Sequence, residues 1–184
     1  MPSSQPGCSA DGLAVSLAQL WAGWRHEYVS GATDAERRGE DGGCVFCRLA
    51  AAGAPSEDNA VVWQGPSCFV VLNAYPYASG HLLVMPRRHV ADLGDLTAEE
   101  SGELWETCRS AVVAVGSAYA PDGVNIGANL GRAAGAGIPA HLHMHVVPRW
   151  SGDTNFMTTV GGTRVMPETL LASWRRLVAA WPAH

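Results

Sequence analysis

Residues 141–150 read HLHMHVVPRW. His141, His143 and His145 alternate there with Leu142, Met144 and Val146. A period of two is the period of a β-strand, so the spacing predicts three imidazoles on one face and the apolar chains on the other. Pro148 has no N–H to give a sheet ladder and is predicted to end the strand. Imidazole is a nucleophile, a proton carrier and a metal ligand near neutral pH, and three on one face need partners if they are buried. On these residues alone, two plainer readings stand beside a catalytic one: a simple metal site, or an exposed polar face.

The chain has 184 residues, enough for one domain with a full core and an extension. Hydrophobic residues make up 47% and charged residues 16%, as in an ordinary globular protein. A net charge of −5 argues against a general nucleic-acid binder, which needs a basic footprint, but leaves room for a local cationic pocket that takes phosphates. No apolar run is long enough to span a membrane, and MPSSQPGCSADG lacks the basic start and apolar core of a signal peptide, so a cytoplasmic protein is expected. Five cysteines, two of them spaced as Cys44-x-x-Cys47, suit reduced thiols and a metal better than a disulfide framework.

In chain order, residues 1–12 are predicted to be disordered and Leu13–Tyr28 to be a helix; residues 30–43 read as a linker. These form an N-terminal extension, 1–43, ahead of a single domain, 44–184. The CxxC pair offers two thiolates to one Zn²⁺, and a closed structural site needs two more ligands, for which His89 and His141 are candidates. A thioredoxin-like redox pair is the rival, but no βαβ pattern surrounds it. Cys68 and Cys108 read as buried small apolar residues. Val61–Trp63, Cys68–Leu72, His81–Pro86 and Gly123–Leu130 read as strands. Thr97-Ala98-Glu99-Glu100 is a capping box opening a helix through Tyr119, with Leu104, Trp105, Cys108, Val112, Val115 and Tyr119 as its apolar stripe. Pro167 suits the first turn of a last helix that packs through Leu170, Leu171, Trp174, Leu177, Val178 and Trp181. The loop 131–140 (GRAAGAGIPA) enters the histidine stretch directly. Its Gly131, Gly135 and Gly137 permit positive φ and close backbone approach, and its N–H groups suit a phosphate cradle, with Asn129 and Arg132 in reach.

His-x-His-x-His followed by two apolar residues and entered from a glycine-rich loop resembles the histidine-triad (HIT) family of nucleotidyl hydrolases and transferases. The resemblance runs from Cys44 to Trp150 and through the C-terminal helix. The stretch LWAGWRHEYV before the CxxC, the NAYPY turn and the PRW ending look like the bacterial diadenosine tetraphosphate phosphorylase/hydrolase group. The resemblance implies an α+β fold, a mainly antiparallel sheet of about five strands with packed helices, and a homodimer or higher homo-oligomer. It implies one structural zinc on Cys44, Cys47, His89 and His141. It also implies that Asn73 binds ribose hydroxyls, that His81 is a fourth active-site histidine supporting the nucleophile, and that Trp150 belongs to the substrate site.

The implied reaction is nucleotidyl transfer in two steps. His143 attacks the α-phosphorus of a dinucleoside polyphosphate such as diadenosine tetraphosphate, and the nucleotidyl-histidine is then taken by inorganic phosphate or by water. His145 and His81 would hold protons around the phosphoryl oxygens, and Gly135 and Gly137 would stabilise charge through backbone N–H groups. Two departures bear on the acceptor: His145 stands where some phosphorylases carry Gln, and Ala140 stands where an acid is expected in the closest relatives. Alternatives are a hydrolase of another nucleotidyl compound, such as a nucleoside phosphoramidate; a zinc-stabilised nucleotide-binding protein without turnover; and a metallohydrolase with the three histidines on a catalytic zinc.

Overall fold

CFVVL (β2, Cys68–Leu72) and LLVMP (β3, Leu82–Pro86) are continuous apolar runs, and every residue of both is buried. A strand reads this way when both faces of its sheet are covered. Both lie in the middle of one five-stranded sheet with β1 (Val61–Gln64), β4 (Gly123–Ala128) and β5 (Met144–Arg149). The order is β1-β2-β3-β5-β4, with every neighbouring pair antiparallel. Three α-helices accompany it among the described residues: α1 (Val45–Ala51), α2 (Ala98–Tyr119) and α3 (Leu170–Ala180). The structure is a computed structural model that describes residues 43–154 and 167–183. The predicted N-terminal helix, the disordered start, nearly all of the linker and most of the 151–165 connection lie outside the described residues. No helix among the described residues is long and apolar enough to cross a membrane.

One face of the sheet (Val70, Leu72, Leu82, Val84, Val146) packs against Leu104, Cys108, Ala111 and Val115 of α2 and Leu177 of α3. The other face (Phe69, Val71, Leu83, Met85) packs against Phe46 of α1. Leu83 is opposite His145 in the β3–β5 ladder, and opposite residues of an antiparallel pair share a face. His145 therefore lies on the α1 side of the sheet, away from α2 and α3. Thr97 caps α2 as the sequence predicts: its Oγ1 accepts from Glu100 N–H and its own N–H donates to the Glu100 carboxylate. Glu103, one turn on, accepts from Ser67 N–H and Cys68 N–H, which ties the β1–β2 turn to the helix. Cys68 and Cys108 are buried free thiols, and burial pushes each up to about 12.

Several expectations are corrected. The histidine stretch becomes strand only at Met144, so His141 and His143 precede the strand that His145 sits in. Pro148 does not end β5; it pairs with Val124 of β4. The β3 ladder stops at Val146, so Pro148 has no β3 neighbour that would need its missing N–H. Trp105 leaves the predicted stripe of α2 and is 61% exposed, while the small residues Thr107, Ser110, Ala111 and Ala114 face inward and let the helix approach the sheet. Leu170 and Leu171 are exposed, because Ser173 and Leu177 take the inward positions of α3; the helix starts at Leu170 with Thr169 as its cap, so Pro167 stands ahead of the cap and not in the first turn. The CxxC turn is the start of helix α1, too short for a periodic signal.

Candidate active site

Cys44 is the N-cap residue of α1 and Cys47 lies in its first turn, so the helix start projects both thiols together. His89 follows β3, and His141 precedes β5. The four donor atoms lie within 4.8 Å of one another. Cys47 Sγ is 3.3 Å from His89 Nδ1, and Cys44 Sγ is 3.4 Å from His141 Nδ1. A tetrahedral zinc with ligands at 2.0–2.3 Å requires donor separations of roughly 3.3–3.8 Å. His141 Nε2 lies 2.8 Å from the Pro86 carbonyl, which can only accept, so Nε2 carries the proton and the Nδ1 lone pair points at the thiols. That is the second-shell arrangement of a metal-binding imidazole. Burial and then the neighbouring Cys44 push the Cys47 thiol up, a cost that a bound cation removes. The residues present therefore fit a closed Cys₂His₂ zinc site. Among the described residues this is the group able to hold a metal, and the three triad histidines do not form one with each other.

His143 is 6% exposed and sits one residue before β5. Its Nδ1–H donates to the His141 carbonyl at 2.8 Å, which leaves the Nε2 lone pair as the reactive position. Burial holds its pKa below the ordinary imidazole value. Phe46 supplies part of that cover: its ring centroid is 5.2 Å from His143 and 5.5 Å from His141. Being between the two cysteines, Phe46 joins the metal cluster to the triad, a link that sequence reading missed.

The ring of His145 is 5.1 Å from that of His143. Its Nδ1 is 3.0 Å from His81 Nε2. Tyr77 N–H donates to His81 Nδ1 at 3.0 Å, and Asn73 Nδ2 is 3.2 Å from the same atom. A backbone amide only donates, so His81 Nδ1 is an acceptor and its proton sits on Nε2. That proton is given to His145 Nδ1, which puts the remaining proton of a neutral His145 on Nε2. His81, fully buried, thus acts on His145 rather than on His143 directly. The ring of Tyr77 stacks on His145 at 5.8 Å and 16°. Sequence reading places Tyr77 at the end of the NAYPY turn, four residues before His81, but gives its ring no role.

The glycine loop is tighter than its sequence suggests. Arg132–Ala134 forms a short 3₁₀ turn, and Gly135 takes a left-handed conformation at φ 90° that closes it. The Gly135 N–H goes to the Arg132 carbonyl and the Ala136 N–H to the Gly131 carbonyl, so these two shape the loop itself. Asn129 Nδ2 holds the Gly135 carbonyl at 3.4 Å. Gly137 is half-buried and leads into the triad, and Arg132 is exposed. Arg149 is tied to Asp153 at 2.6 and 2.9 Å and to Asn125 at 2.9 Å. Trp150 stands apart from the histidines, on the wall of a cavity of about 560 Å³ that it shares with Tyr77, Ser79, Tyr119 and Glu168.

The sequence model described as HIT domain matches residues 54–152. The chain is 46% identical over 125 residues to the AP-4-A phosphorylase of Mycobacterium tuberculosis, an alignment covering 68% of this chain and 64% of that protein. The chain thus spans a little under two thirds of that relative's length. A zinc-bound histidine triad family protein from Mycobacterium smegmatis shares the fold, with a TM-score of 0.60 and 32% identity over 74% of this chain and 91% of the other.

Proposed function

The chain belongs to the histidine-triad family, and from that premise we propose that it is a nucleotidyl transferase acting on dinucleoside polyphosphates, diadenosine tetraphosphate being the reference substrate. The observation that carries the proposal is the proton pattern of the triad. The His141 carbonyl holds the proton on Nδ1 of His143, so its Nε2 is a neutral nucleophile; beside it, His145 offers an N–H donor. The Nε2 lone pair attacks the α-phosphorus, and the P–N bond forms as the P–O bond to the departing nucleotide breaks. His145 Nε2–H donates to the oxygen that leaves. Asn73 takes the ribose hydroxyls, and the loop at Asn129, Arg132, Gly135 and Gly137 lies along the phosphates. Trp150 is a substrate contact in the adjoining cavity.

Cys44, Cys47, His89 and His141 would hold one zinc, whose contribution is to fix α1 and the triad's first residue, not to take part in the reaction. Assembly as a homodimer or higher homo-oligomer and a cytoplasmic location complete the proposal.

For the second step we favour inorganic phosphate as acceptor, supported by the printed name of the M. tuberculosis relative. Attack at an α-phosphorus of diadenosine tetraphosphate expels ATP and leaves AMP on His143. Phosphate then releases ADP, whereas water releases AMP. Product analysis with and without phosphate tests this: ATP and ADP, formed faster with phosphate, is expected. ATP with AMP alone at millimolar phosphate makes the protein a hydrolase, and no product from any dinucleoside polyphosphate overturns the substrate class.

A further inference from the structure

We infer that Tyr77 is the positioning residue of the leaving-group donor: its ring sets the plane of His145, and with it the aim of the Nε2–H, while its backbone N–H sets the order of protons behind that donor. This rests on the nucleotidyl-transfer reading above. The bond from His81 Nε2–H to His145 Nδ1, 3.0 Å long, fixes one point of the His145 ring. It does not fix the plane, because the last torsion of a histidine side chain is broad and roughly two-fold. The hydrogen on a ring nitrogen lies in the ring plane, so whatever chooses the plane also aims the donor. The Tyr77 ring lies along His145 at 5.8 Å with 16° between the planes. His81 meets the same imidazole at 43° and His143 at 66°. Among these three rings, Tyr77 is the one that lies flat on His145 and resists its rotation.

A ring can hold another only if its own place is held, and the loop from Asn73 to His81 does this. Asn73 N–H donates to the His81 carbonyl at 3.0 Å, and His81 N–H to the Ala78 carbonyl at 3.2 Å. Tyr75 N–H donates to Asn73 Oδ1 at 3.0 Å, and Pro76 brings a fixed φ just ahead of Tyr77. Tyr77 N–H then reaches His81 Nδ1, and the Tyr77 ring leans on His81 with centroids 4.7 Å apart. One residue thus touches both histidines of the row. Its amide makes His81 a donor toward His145; its ring gives His145 a fixed direction. The amide survives a change of side chain and the ring does not, so substitution separates the two contributions.

The test uses the phenyl and p-nitrophenyl esters of AMP, both attacked at the same phosphorus. Phenolate is the more basic leaving group and gains more from a hydrogen-bond donor aimed at its developing charge. Tyr77→Leu is expected to lower kcat/KM for the phenyl ester about tenfold more than for the p-nitrophenyl ester, through loss of the stacked pair and of the donor's aim. Tyr77→Phe keeps the ring and should keep the native ratio. Equal losses for both esters in Tyr77→Leu, or the same change of ratio in Tyr77→Phe, overturn the inference while leaving nucleotidyl transfer intact. Side-chain ¹⁵N spectra of the histidines read the same contact without turnover. At about pH 8, where ordinary imidazoles are neutral, His145 should be the Nε2–H tautomer alone in the native chain and a mixture of tautomers in Tyr77→Leu, with His81 unchanged. A mixture in the native chain, or an unchanged His145 in Tyr77→Leu, overturns the inference. Should the native chain cleave neither an AMP ester nor a dinucleoside polyphosphate, the nucleotidyl-transfer reading fails, and these spectra decide by themselves whether Tyr77 sets the His145 ring.

Discussion

Replacing Phe46 with Ala should damage stability and catalysis through separate physical routes. The ring is 6% exposed and packs on the sheet face that carries Phe69, Val71 and Leu83. Phe→Ala at such a site costs about 3–5 kcal/mol. For a chain of this size, where 1 kcal/mol moves Tm by roughly 2–4 °C, the melting temperature should fall by about 10 °C. The second route runs through His143. Its pKa is lowered chiefly by burial, and the Phe46 ring 5.2 Å away is part of that burial. Water admitted by the truncation raises the pKa toward the ordinary value of about 6.5. The nucleophile is the neutral form, present above the pKa and lost as pH falls through it, so the acid limb of kcat/KM should move to higher pH. Phe46→Leu, which keeps most of the volume and the cysteine spacing, should cost under about 1.5 kcal/mol and move the limb less. Calorimetry, zinc content and pH–rate profiles of the three proteins measure all of this. A destabilised Phe46→Ala protein whose acid limb stays where it was would refute the idea that this ring sets the basicity of His143.

His143→Ala should fold normally and lose activity by several orders of magnitude, and near-normal turnover would sink the nucleophile assignment. Protein purified without chelator should contain about one zinc per chain. At free zinc on the order of 1,000 times its dissociation constant, the metal stabilises the fold by about 4 kcal/mol, so stripping it should lower Tm by roughly 8–16 °C; Cys44→Ser should act in the same direction in a thermal scan. Because His81 works through His145, the double variant His81→Ala/His145→Ala should be hardly slower than His145→Ala alone, whereas multiplicative losses in single-turnover kinetics would show two independent roles.

Much of this molecule is legible from its residues. CFVVL and LLVMP announce central strands, and Thr97 with Glu100 announces the start of α2, because in each the local pattern and the tertiary demand coincide. The metal cluster is legible because ligands of a closed site must be Cys and His, even 97 positions apart in sequence. What stayed hidden depends on direction rather than identity. Nothing in NAYPY tells that a Tyr77 backbone N–H would orient His81, or that the Tyr77 ring would lie on His145. Trp105 matches helical spacing yet faces outward, since small residues let α2 sit close to the sheet and leave no room for an indole. Arg149 follows the triad strand as a cation, and its spacing alone does not tell that Asp153, four residues on, holds it.

The hydrogen-bonded row from Tyr77 through His81 to His145 also fixes where a proton can come from. Its first member is a peptide N–H, which does not ionise near neutral pH, and the Asn73 amide beside it cannot supply a proton either. His145, whose Nδ1 only accepts in this row, cannot give up its Nε2 proton without becoming an imidazolate, so its part is a hydrogen bond to a nucleotide that departs as an anion. The proton that the cycle does release belongs to the water or protonated phosphate that attacks the nucleotidyl-histidine. The row therefore ends each cycle in the protonation state in which it began, and the enzyme needs no separate channel to solvent to reload it.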